Sequence, residues 1–158
     1  LPIFEQNYRS HGNILDAAVT TFHNNYWVQT LQYTFATSFA LIPLGFLKTF
    51  LSFAMAGFVM SPLWTGTANG YVFHSITMIL ELEAYIVASF AVVIWPARFL
   101  LAFRDALRFK RDDPNAPVPY HHLVIGIRAF IGAIILTGAM LAIAALYEAV
   151  SLIQLGSS

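Results

Sequence analysis

A chain of 158 residues that is 58% hydrophobic and only 10% charged lies far from the soluble norm, in which about a quarter of residues carry charge. Eight Lys and Arg against eight Asp and Glu leave no net charge, and no basic stripe carries interleaved aromatics, so nucleic-acid binding is set aside. Cysteine is absent, which removes disulfides, thiolate metal sites and cysteine nucleophiles and leaves the redox compartment open. The class that fits is all-α: a polytopic transmembrane helical bundle with about four spanning helices.

The first 25 residues, ending in "DAAVTTFHNN", lack a basic region followed by an apolar core and read as an extramembrane or interfacial segment. The transmembrane domain is expected over 26–153. Its first run, 26–47, is long enough to span, with Tyr26 and Trp27 at the position of an interfacial aromatic belt. The second, 49–64, is short for a span. A Gly-containing loop leads to the third run at about 74–97, closed by "WPAR", and the fourth covers roughly 122–153. Between the last two lies the one strongly basic loop, 98–122, with Arg98, Arg104, Arg108, Lys110 and Arg111. The positive-inside rule makes it cytoplasmic. Its alternating Leu and Phe suggest a helix extension at the interface, and its charge suits either solvation or a cytoplasmic partner. Four spans then put both termini outside, which predicts a further span before Leu1.

Helical spacing assigns faces. Glu81, Ala84, Ala88 and Ala91 form one continuous stripe, extended by Thr77 and His74. Small residues let membrane helices approach closely, so Glu81 is expected to point into the bundle. Glu83 lies about 200° round from it, in a stripe with Ile86 or Val87, Phe90 and Ile94. That face is expected to meet lipid or, preferably, another subunit. Asn25, Gln29 and Gln32 form a polar seam on the first run that continues into Ala36 and Ala40. Buried amides in lipid seek interhelical hydrogen bonds, so this seam is expected to meet the Glu81 face. Ordinary helix–helix adhesion is the competing reading. Gly126, Ala129 and Ala133, then Gly138, Ala142, Ala145 and Ala149, line the fourth run.

Catalytic constellations are missing. No HExxH pair is present for a metalloprotease, no Gly-rich serine turn, and no phosphate-binding loop. His74, His121 and His122 are candidate ligands for haem or chlorin, with an interfacial histidine held by hydrogen bonds as the preferred reading of each. The sequence requires no cofactor; bound lipid is expected, with a chlorin or haem as the alternative.

Two short elements resemble the stage II sporulation protein M family of integral membrane proteins. Phe22 with Asn25 (or Asn24) matches its F-x-x-N entry to a span, and Glu81, Leu82 and Ala84 match its later E-[LI]-x-A segment. The family's His and Gly before that Glu are Thr77 and Met78 here, and Ala56-Gly57 stands for its Asn-Gly unless Asn69-Gly70 serves. The resemblance covers roughly residues 20–98. It implies a non-enzymatic membrane component working with partners, and a span before the N-terminal segment.

The expected function is therefore a membrane scaffold or assembly subunit, without enzymatic activity, in a bacterial inner membrane. It would contact lipids, other integral subunits and a cytoplasmic partner at the basic loop, and no nucleic acid. The runner-up is an accessory lipid- or pigment-binding subunit of a photosynthetic or respiratory complex. A transporter with a path lined by Glu81, His74 and Gln32 comes third.

Overall fold

The computed structural model describes residues 13–36, 42–59, 68–109 and 120–156, and every one of these except Asn13 is helical. Helix α1 spans Ile14–Phe22 and runs without a break into a π-helical segment, His23–Ala36. Helices α2 (Ile42–Val59), α3 (Ala68–Phe109) and α4 (Tyr120–Gly156) follow. The α1–π rod starts at a side-chain cap, where the Asn13 carboxamide oxygen accepts from the Leu15 N–H at 3.0 Å. With Asp16 in the first turn, the positive end of the helix dipole is well matched.

The widening of the rod has a visible local correlate. Thr30 Oγ1 donates to the Asn25 carbonyl at 2.8 Å, and Thr34 Oγ1 donates to the Gln29 carbonyl at 3.0 Å. Both reach five residues back, the period of a π-helix, and threonine hydroxyls that bond back to the backbone compete with the regular ladder.

Helices α3 and α4 form a long antiparallel pair. At about 1.5 Å per residue, the 42 residues of α3 and the 37 of α4 reach some 63 and 55 Å, against about 30 Å of bilayer hydrocarbon. They approach through small side chains: Ala84, Ala88, Ala91, Ala144, Ala145 and Ala149 are all buried. Thr137 Oγ1 donates to the Ala84 carbonyl across the seam at 3.4 Å. Gly126 eases the approach, because a Cβ there would stand 3.0 Å from Arg98 Cβ.

The rod packs antiparallel to α4 and parallel to α3. At one end Ala17 and Ala18 meet Ala149. In the middle Tyr26 lies against Gly138, where a Cβ would stand 3.0 Å from its ring, and donates to the Ile134 carbonyl at 3.2 Å. At the other end Phe35 joins Ala88, Ala91 and Val92, edge-on to Phe130 at 5.1 Å. Helix α2 leans on α3 through Phe53 and Tyr85, whose centroids are 5.4 Å apart. Its Phe50, Met55 and Phe58 are exposed.

Several boundaries differ from the sequence expectation. Within the run 26–47, residues up to Ala36 are π-helical and α2 is described from Ile42, with Pro43 in its first turn where the missing N–H costs nothing; residues 37–41 lie outside the described residues. Residue 25 falls inside a continuous helix rather than at its edge. The third run does not close at "WPAR". Helix α3 passes through Pro96 to Phe109, so Arg98, Arg104 and Arg108 are helical rather than in a loop. The continuation holds because Ala102 and Asp105 are buried against α4, which compensates for the hydrogen bond that proline removes. Lys110 and Arg111 lie outside the described residues.

Two helices, over Ser75–Arg108 and Tyr120–Ser151, are long and apolar enough to cross a membrane. Only 22% of each apolar window is buried, whereas the core helix of a soluble domain is apolar all round because it is covered all round.

Candidate functional site

Polar side chains converge where the rod, α2 and α3 meet. Asn25 Nδ2 donates to Glu81 Oε1 at 2.5 Å, while its own carboxamide oxygen accepts from Asn24 Nδ2 at 3.2 Å. The seam on the rod thus meets the Glu81 face, as the spacing predicts. Beside this pair, Lys48 of α2 donates to the Gln29 side-chain oxygen at 2.8 Å and lies 3.4 Å from its backbone carbonyl. The Lys48 ammonium also sits 5.5 Å from the centre of the Tyr33 ring, within range of its negative face. Asn25, Gln29, Lys48 and Glu81 line a cavity of about 270 Å³ with Asn24, Thr49, Ser52, Phe53 and Tyr85. Acid and base share this cavity, yet each is held by a neutral amide, and no ion pair joins them among the described residues.

Two participants escape the sequence reading. Lys48 falls between two apolar runs and looks like a loop cation until α2 carries it inward. Glu148 of α4 lies within electrostatic range of Glu81, although α4 reads as a stripe of small residues. Its signal was available: it is the one carboxylate in the fourth run, one residue before Ala149, which is fully buried.

The other predicted residues divide. Glu83 is exposed on the outward side of α3, beside the exposed Leu82, Ile86 and Phe90. Gln32 is exposed and lines no part of the cavity. In a helix closed by i→i+5 bonds, seven residues no longer complete two turns, so Gln32 swings off the face that Asn25 and Gln29 share. Ala142 is likewise exposed, whereas Ala145 and Ala149 of the same predicted stripe are buried and are joined there by Leu141 and Ala144. The backbone of His74 belongs to α3, but its side chain lies outside the described residues.

A second polar cluster joins the far ends of α3 and α4. The Asp105 side chain is fully buried. One carboxylate oxygen accepts from Arg104 at 3.1 and 3.2 Å, and the other lies 3.3 Å from His122 Nε2 without a hydrogen bond. His122 Nδ1 is 3.3 Å from Arg98 Nη1. His122 is therefore engaged in an ionic cluster, and it stands edge-on to an exposed His121 at 6.0 Å. Among the described residues no three His, Asp or Glu gather as a metal site.

A second cavity of about 350 Å³ adjoins the first across Thr49 and Phe53. Phe50, Leu82, Ile86, Ser89, Phe90 and Val93 complete it, and its lining is almost wholly apolar. The site thus combines a charged chamber with an apolar groove, on a helix whose outer side carries a lone carboxylate. No family model, no curated protein and no solved structure matches the chain, so these residues and their geometry are the ground for a functional reading.

Proposed function

We propose that this chain is an integral membrane scaffold or assembly subunit without enzymatic activity, docking other membrane proteins through the outward side of α3. The observation that carries the reading is Glu83. It stands exposed between Leu82, Ile86 and Phe90, on a helix long and apolar enough to cross a membrane. A carboxylate facing outward among apolar side chains on such a helix is disfavoured and calls for a partner. A polar group on a neighbouring subunit supplies one.

The interior of the bundle supports the same reading. Its polar groups fix helix register: Asn25 holds Glu81, Gln29 holds Lys48, and Tyr26 holds the Ile134 carbonyl. The two elements that carry the resemblance to the stage II sporulation protein M family meet here, Asn25 donating to Glu81. We assign the chain to a bacterial cytoplasmic membrane, with Arg98, Arg104 and Arg108 on the cytoplasmic side. The basic end of α3 would then meet a cytoplasmic partner.

Glu83→Leu should leave the helical content and monomer intact and weaken assembly. Purification of the parent and the variant in mild detergent, with identification of every associated chain, measures this. Glu81→Leu should instead destabilise the bundle, since it strips Asn25 of its acceptor. Identical assembly of both variants with the parent would overturn the docking assignment.

A further inference from the structure

The charged chamber and the apolar groove share a wall and run in the proportions of a lipid. Lys48 and Glu81 stand in one chamber. Among the described residues Lys48 Nζ is hydrogen-bonded only to Gln29 and stands over the Tyr33 ring, and Glu81 is hydrogen-bonded to Asn25 through one carboxylate oxygen. The Lys48 nitrogen and the second Glu81 oxygen therefore each keep bonding capacity, and no direct ion pair joins them among the described residues. A zwitterion carrying an anionic and an amine group satisfies both at once.

The groove gives the rest of the molecule. It starts at Leu82, adjacent to Glu81, and follows α3 past Ile86 and Phe90 to Val93. Eleven residues at 1.5 Å make about 16 Å, close to half of a ~30 Å hydrocarbon core. The direction agrees as well. With the basic end of α3 cytoplasmic, Glu81 lies in the outer half of the span and Val93 lies deeper. A head group at Lys48 and Glu81 would thus put its acyl chain toward the bilayer midplane, as in an outer-leaflet lipid.

We infer that α2 and α3 hold one phospholipid with an amine-bearing head group, its phosphate at Lys48, its ammonium at Glu81 and an acyl chain in the Phe50–Val93 groove. The inference rests on the membrane placement proposed above, and its groove shares Leu82, Ile86 and Phe90 with the docking face around Glu83. Phe53, which lines both compartments, is the sill over which the lipid bends. Thr49 lies beside it.

The test is native mass spectrometry of the full chain in detergent, titrated with dioleoylphosphatidylethanolamine and, separately, dioleoylphosphatidylglycerol. The parent should retain one phosphatidylethanolamine per chain in preference to phosphatidylglycerol. Lys48→Met should weaken retention about tenfold, the scale of one charge-assisted hydrogen bond. Ser89→Phe, which fills the groove without touching the chamber, should weaken it similarly while circular dichroism stays unchanged. Equal retention of the two lipids, or retention unaffected by either substitution, would overturn the inference. So would a Ser89→Phe variant that keeps its lipid but loses self-association, because the groove would then belong to a second copy. Carbonate extraction of the source membranes separates the two failures: a chain released to the supernatant defeats the membrane placement, while a chain that stays in the pellet yet holds no lipid defeats this inference alone.

Discussion

Asn25 shows how much a single amide decides. It receives from Asn24 and donates to Glu81, so its removal leaves a carboxylate without that donor inside a helical interface. Asn25→Ala should lower stability by about 1–2 kcal/mol, the range of one interhelical hydrogen bond and its desolvated remnant, read as a drop in thermal midpoint in detergent. Gly138 sets a steric limit in the same region. A Cβ there stands 3.0 Å from the Tyr26 ring and 3.2 Å from its hydroxyl, so Gly138→Ala should push the ring aside and cost about 1–3 kcal/mol. With Tyr26→Ala in place the same substitution should cost little, and that non-additivity in a double-mutant cycle identifies the contact.

At the scale of the element, α3 behaves as two helices joined end to end. Its Ser75–Val93 part turns small residues inward and bulky ones outward, whereas the part beyond Pro96 carries arginines on the outside and Asp105 inside. The second part is held to α4 by the Arg104–Asp105–His122–Arg98 cluster. Arg104 is half exposed, and solvent screening weakens its share of the pairing. Asp105→Ala should therefore cost about 1–3 kcal/mol, less than breaking a fully buried pair. The loss should appear locally, as faster amide hydrogen exchange over 98–109, with the Ala84–Ala91 seam unaffected. The π-helical segment is the other unusual element. By widening the rod it keeps Asn25 and Gln29 on the chamber side and sends Gln32 outward.

The whole molecule is a thin bundle with its apolar side chains displayed. Leu15, Phe58, Phe90 and Ile135 are each more than half exposed, which suits acyl chains or partner helices and not water. The absence of cysteine makes topology directly measurable. With Arg108→Cys as the single thiol, a membrane-impermeant maleimide should label from one side of the membrane only. With Leu15→Cys it should label only from the opposite side, since the rod runs parallel to α3. Labelling of both from one side would contradict two spanning helices in this arrangement.

The sequence by itself determined the helical class, the inward Glu81–Ala91 stripe and the opposed directions of Glu81 and Glu83. All of these follow from a fixed 3.6-residue period acting on side chains within one helix. The meeting of Asn25 with Glu81 was legible for the same reason, because a polar stripe and an acid on two apolar helices have few other places to go. The period failed where the backbone left it: the π-helical rod displaced Gln32. Only the tertiary structure decided that Lys48 faces Gln29, that Glu148 lies near Glu81, that Asp105 is buried beside His122 and that a charged chamber abuts an apolar groove. Those facts depend on how helices far apart in sequence are set against one another, which small-residue contacts such as Gly126 on Arg98 and Gly138 on Tyr26 fix and no local pattern encodes.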